Sequence, residues 1–155
     1  MITVELDAAE LDRVLRQLAV GLSDMSDLMN DLGNYMLVAH QDRVQRGEQP
    51  DGQPFALRSE TTIDRYIADD LPFGQPLNQS GTMRQQMAYN YGSDYVAMGS
   101  NAIQAAVMHF GAEKGSLGSG APWGDIPARP FIGLSDQDES EMMGVSIEWL
   151  DGLAS

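Results

Sequence analysis

The stretch Ile126-Pro127-Ala128-Arg129-Pro130-Phe131-Ile132-Gly133-Leu134-Ser135 constrains this chain more tightly than any other. Each proline fixes its own φ and pushes the residue before it, Ile126 or Arg129, into extended backbone. Pro130 has no N–H to give to a sheet ladder, so the stretch is an extended edge or arm and not a central strand. Phe131, Ile132 and Leu134 are apolar anchors, and Gly133 permits a turn or a close backbone approach. Ser135, with Asp138 three residues on, has the spacing of a helix N-cap with an acid reaching back to it, which predicts a following helix. A rigid apolar segment carrying one cation, delivered straight into a helix, is suited to positioning something. It either docks on the chain's own core as a structured connection or meets a neighbouring molecule.

With 155 residues the chain can build one domain around one hydrophobic core. Its formal charge of −14, from 23 acidic and 9 basic residues, argues against a basic nucleic-acid footprint and would repel phosphates. Cysteine is absent, so neither disulfides nor thiol chemistry hold the fold, which fits a reducing compartment. No basic leader followed by an apolar run opens the sequence, which predicts no signal peptide. No apolar run approaches the roughly 18 residues of a membrane span. The expectation is an acidic, soluble domain made inside a cell.

Taken in order, Ile2-Thr3-Val4-Glu5-Leu6 alternates as a half-buried strand does, and Asp7 with Glu10 forms a capping box for a helix. Leu11, Val14, Leu15, Leu18 and Leu22 make one apolar stripe. Gly21 and Ser23-Asp24 predict a break, and Leu28, Leu32, Tyr35, Met36 and Ala39 make a second stripe. That helix is expected to fade near Gln45-Arg46-Gly47, with Gly47 past its end. Residues 47–76 read as a long loop, with turn chemistry at Pro50-Asp51-Gly52-Gln53-Pro54 and a short helix from Ser59-Glu60 through Tyr66. Ser80 to Arg84 predict one helical turn. Gln85 to Tyr91 and Tyr95 to Gly99 predict a hairpin about Gly92-Ser93-Asp94. Asn101 is expected to cap a short helix that runs to Phe110 and is closed by Gly111. Residues 112–125, rich in glycine, read as a flexible loop. Met142, Val145, Trp149 and Leu153 mark a terminal amphipathic helix. The fold class is α+β: N-terminal helices packed on a small antiparallel sheet, long loops, an extended proline-containing arm and a C-terminal helix.

Catalytic chemistry finds little support. Only His40 and His109 could join a metal site through nitrogen, and no thiolates are present. Asp136, Asp138, Glu139 and Glu141 lack the spaced oxygens and glycine of a calcium loop and read as a solvated helix face. Lys114 precedes the Gly115–Gly120 run, the wrong side for a phosphate-cradling loop. No serine sits in a Gly-x-Ser-x-Gly elbow. His109, among Val107, Met108 and Phe110, reads as a packed, hydrogen-bonded histidine ahead of a catalytic base. Contact surfaces fare better. Met83, Met87, Met98 and Met108 fall around the hairpin and its following helix, where flexible thioethers fill a core or adapt to a partner. Trp123, in the loop, either anchors a neighbouring subunit or tucks onto the domain's own surface.

Four features in order carry a family resemblance. They are Asp51-Gly52-Gln53-Pro54-Phe55-Ala56-Leu57, Leu77-Asn78-Gln79-Ser80-Gly81-Thr82-Met83-Arg84, Val107-Met108-His109-Phe110-Gly111 and the Ile126–Ser135 arm. Together they resemble the virion-morphogenesis or tail-completion family of tailed bacteriophages, of the Mu-like and P2-like type, across most of the chain. The resemblance implies one neck or tail-completion domain over residues 1–155, a structural virion protein assembled in the host cytoplasm. It implies no catalysis, no cofactor and no metal. Such proteins form rings, commonly hexameric, that finish the tail or join it to the head. Their partners are copies of themselves, neck or connector proteins, and tail tube or sheath proteins; DNA passes the lumen without sequence-specific contact, and no membrane is involved. The expected contact residues are Trp123, Ile126, Arg129, Pro130, Phe131, His109 and Phe110, with His109 and Phe110 packed beneath the arm. Arg129→Glu is then expected to weaken assembly and leave the monomer folded. The alternative is a small hydrolase or ligand-binding α+β domain using His109 and a nearby acid.

Overall fold

The computed structural model describes residues 8–118 and 124–154. The predicted strand at residues 2–6, the Asp7 cap and Trp123 lie outside them. Six helices and one hairpin are described: α1 (Ala9–Ser23), α2 (Ser26–Arg46), α3 (Glu60–Ala68), α4 (Thr82–Gln85), β1 (Met87–Tyr91), β2 (Val96–Ser100), α5 (Ala105–Phe110) and α6 (Asp136–Ala154). The fold is α+β as expected. None of the described helices is long and apolar enough to cross a membrane.

Helix α2 is the organising element, with the hairpin and α6 both packed on it. Its start is set by Asp24, whose Oδ1 accepts from the Ser26 N–H at 3.0 Å and ends α1 at the expected break. The Met25 N–H donates to Ser93 O at 2.9 Å, tying that break to the hairpin turn. Its end is set by Gly47, which takes φ 79° and donates to Arg43 O and Val44 O, the left-handed stop glycine allows. The other N-terminal helix, α1, packs on α6, where Gly21 meets the Leu153 side chain.

The strands pair antiparallel with Tyr91 opposite Val96 and Met87 opposite Ser100. Met87 is buried and Tyr89 half-buried, while Ala88 and Asn90 are exposed, the alternation of a ribbon with one covered face. Tyr89 lies across Gly33 of α2, where an added Cβ would stand 2.2 Å from its ring, and its hydroxyl donates to Asn30 Oδ1 at 2.8 Å. The core joins Val44 of α2, Phe55 of the loop, Met83, Met87, Ala102 and Phe131 of the arm.

Two boundaries differ from the sequence reading. The first strand begins at Met87, because Gln85 completes α4 after Ser80 Oγ accepts from the Thr82 N–H. The helix expected from Asn101 begins at Ala105, because residues 102–104 form a tighter turn in which Ser100 Oγ accepts from the Ala102 N–H. Within the 47–76 segment, Glu48 bridges Pro54, and Ser59 caps α3 by accepting from the Thr62 N–H.

Candidate functional site

An extended segment presents its N–H groups alternately to two sides. In the arm, the groups facing the body of the protein belong to Arg129, Phe131, Gly133 and Ser135, and each has an acceptor. They donate to Met108 O at 2.8 Å, His109 Nδ1 at 3.3 Å, His40 Nε2 at 3.1 Å and Asp138 Oδ2 at 2.8 Å. Pro130 occupies the opposite phase, where its missing N–H removes none of these bonds. Both histidines of the chain therefore accept from the arm.

Acceptance by a ring nitrogen requires that nitrogen to be unprotonated. His40 is fully buried, and its Nδ1 lies 2.5 Å from Met36 O, so Nδ1 carries the hydrogen and Nε2 is left to accept. Burial is the largest influence on His40 and pushes its pKa below the ordinary value, with the Arg43 charge adding to the effect. Burial likewise lowers His109.

The two ends of the arm are held by buried arginines. At the leading end, Arg129 is 6% exposed; its Nε donates to Ala56 O at 2.7 Å and one terminal nitrogen to Leu57 O at 2.8 Å. Burial, and secondarily the Arg58 charge, lowers its pKa. At the trailing end, Arg43 forms a buried ion pair with Asp138 and donates to Gly133 O at 2.9 Å. Its Nε–H has no acceptor among the described residues. Asp138 also accepts from the Tyr35 hydroxyl at 3.2 Å and the Ser135 hydroxyl at 2.8 Å, and its own N–H donates back to Ser135 Oγ at 3.1 Å. The predicted capping box at the start of α6 is thus formed. Burial raises the Asp138 pKa, but the bonds from Ser135 and Arg43 outweigh it and hold the carboxyl below its ordinary range.

The expected contact residues divide by position. Phe131 is 1% exposed and sits in the core, and Arg129 is bonded within the subunit. Ile126 is half-buried and bridges Ala112, and Pro130 is half-buried beside a surface groove. His109 lies under the arm, its ring edge-on to Phe131 at 5.3 Å and to Phe110 at 4.6 Å. Phe110, expected beneath the arm, is instead 78% exposed, because it ends α5 on the outer side of His109. One consequence corrects the sequence reading. A glutamate at position 129 would face the Ala56 and Leu57 carbonyls, so Arg129→Glu disturbs the subunit's own fold and does not isolate assembly.

His109 spends its Nδ1 on the arm, and no carboxylate is hydrogen-bonded to it among the described residues. Those residues also contain no cluster of His, Cys, Asp and Glu able to hold a metal ion. The sequence reading missed the joint role of His40, Arg43 and Asp138. A signal was present: His40 follows Met36, and Arg43 follows Ala39, at the four-residue spacing of the apolar stripe, which places both on the buried face of α2.

Beyond the arm's trailing end, a groove opens between α2, the 48–52 turn and the start of α6. Val38 and Leu134 stand exposed in it.

The sequence model of the phage virion morphogenesis family matches residues 6–151. A relative from Haemophilus influenzae, Mu-like prophage FluMu G protein 2, is 26% identical over 144 residues, covering 92% of this chain and 91% of its own. No solved structure matches. The match takes in all of α1 and all but the last three residues of α6 and includes the arm with every acceptor that holds it, so this chain belongs to the phage virion morphogenesis family.

Proposed function

We propose that this protein is a non-catalytic structural subunit of a tailed-phage virion, acting in tail completion or head–tail joining at the neck as one member of a ring. The observation that carries the reading is family membership over nearly the whole chain, with a Mu-like relative matched along nearly its whole length. Two physical features support it. The arm is bonded at every inward N–H and clamped by an arginine at each end, which makes the subunit a rigid part rather than a hinge. Large apolar side chains also stand in solvent, among them Leu57, Ile103 and Phe110, and a contact between subunits would take such side chains out of water.

The partners in this reading are copies of the chain in a ring, taken as a hexamer, together with neck or connector proteins and tail tube or sheath proteins. A net charge of −14 keeps the ring from gripping DNA that passes through it. Light-scattering mass measured across a concentration range, alone and with neck and tail components, tests the proposal. A defined ring in either condition supports it. A monomer under all of these conditions sinks it.

A further inference from the structure

Histidine is the side chain whose ordinary pKa puts its charge change between pH 5 and 8. This chain has two histidines and no cysteine, and both histidines are spent on the arm. Of the four N–H groups that the arm turns inward, the outer two donate to groups that keep their charge state through that range. Arg129 donates to Met108 O, and Ser135 to the Asp138 carboxylate, which is held below its ordinary pKa. The inner two, on Phe131 and Gly133, donate to His109 Nδ1 and His40 Nε2. Carboxylates ordinarily titrate near about 4 and an α-amino group near about 8. Between pH 7 and 5, then, the charge of this protein changes mainly beneath the middle of the arm.

A proton on either accepting nitrogen turns it into a donor aimed at a donor. The bond is lost, and a positive charge is left where burial disfavours it. The charged groups facing His40 are Arg43 of its own helix, which opposes protonation, and Asp138 of α6, which favours it; those two are paired with each other. On His109 burial acts alone, with no charged side chain contributing among the described residues. The ends of the arm do not share this sensitivity. Arg129 holds Ala56 O and Leu57 O, and Arg43 holds Asp138 and Gly133 O; a guanidinium keeps its charge across the same range.

We infer that His40 and His109 form an acid-sensitive latch: with both rings neutral the arm is closed, and protonating them frees residues 130–134 from the body while the two ends of the arm and the rest of the fold stay in place. Phe131, 1% exposed in the closed arm, is the side chain this opening uncovers. In the open arm both rings are free to take up a proton at the ordinary value of about 6.5, and in the closed arm they are not. Opening therefore draws protons in and is favoured as pH falls below that value. From pH 7.5 to 5.5 one such histidine raises the opening constant about tenfold, and two opening as one raise it about 100-fold. The step is local and precedes loss of the whole fold. It stands apart from the ring reading, since every contact in it lies within one subunit.

Hydrogen exchange of single amides tests the latch, read by NMR on the full chain below any assembling concentration and corrected for the intrinsic pH dependence of exchange. From pH 7.5 to 5.5 the protection of the Phe131 and Gly133 amides should fall by at least about tenfold and by up to about 100-fold. The outer two arm amides, Arg129 and Ser135, and that of Leu32 in α2 should hold theirs. A smaller fall at either inner amide overturns the latch. So does an equal fall at Leu32, which would mean that the whole fold is opening. His109→Asn and His40→Gln set a carboxamide oxygen where Nδ1 and Nε2 now accept, and neither side chain titrates. Together they should abolish the fall, and a wild-type fall in the double variant overturns the latch. His40 is fully buried, so His109→Asn alone decides if the other variant does not fold: the fall at Phe131 should shrink about tenfold, and an undiminished fall overturns the inference.

Discussion

Replacing Arg129 with methionine tests how the arm is held. The guanidinium is almost fully buried and faces carbonyl oxygens, with no carboxylate among the described residues bonded to it: Ala56 O at 2.7 Å, Leu57 O at 2.8 Å and, more weakly, Pro127 O at 3.4 Å. Hydrogen bonds to a charged group contribute about 1.5–3 kcal/mol each, so the two short ones give about 3–6 kcal/mol. Methionine keeps the packed stem and removes the need to bury a charge, which offsets part of that loss and leaves a net destabilisation of about 3 kcal/mol. For a chain of this size each kcal/mol lowers Tm by about 2–4 °C, so the midpoint should fall by about 6–12 °C. Arg129→Lys retains a charge but not the fork that reaches two carbonyls at once, and should lose about half as much. Urea unfolding followed by circular dichroism, below any assembling concentration, reads both variants. A methionine variant within about 1 kcal/mol of wild type would refute the clamp, because a change that small is ordinary for a surface position.

Other outcomes follow from the same geometry. Both histidines are held neutral, with pKa values lowered from 6.5 in the folded protein, so the unfolded chain binds more protons and stability should be full above 6.5 and fall as pH drops through that value. Urea midpoints that stay flat from pH 7.5 to 5 would count against the histidine acceptors. Asp138 is lowered from 3.8, so its contribution persists to lower pH and disappears only below that value. Phe131→Ala should cost about 3–5 kcal/mol as a core cavity, whereas exposed Phe110→Ala should change subunit stability by less than about 0.5 kcal/mol; equal effects in thermal melts would contradict the placement of the two rings. Gly33→Ala forces a methyl into the Tyr89 ring and should destabilise by about 1–3 kcal/mol as overpacking, read as a lower urea midpoint. Full stability in that variant would mean the hairpin does not lie on α2 at Gly33.

Much of the secondary structure was legible because its causes are local. The Asp24 break, the Gly47 stop, the Ser59 cap and the Ser135–Asp138 box each join groups within four residues of one another. The errors at Gln85 and Asn101 were also local, where a turn and a strand or helix competed for the same residues and the turn prevailed. The arm's extension was legible for the same reason, since proline sets backbone geometry wherever it stands. Family membership could be read from short motifs because they lie in order along the chain.

By itself, then, the sequence determined the helices, the hairpin, the extended arm and an acidic surface. Only the tertiary structure decided what the arm's charged residue is for. Arg129 meets Ala56 across 73 residues, Gly133 meets His40 across 93, and Arg43 meets Asp138 across 95. No local rule pairs such groups. A buried donor or charge must find a partner wherever the fold delivers one, and the arm is where this fold brings them together.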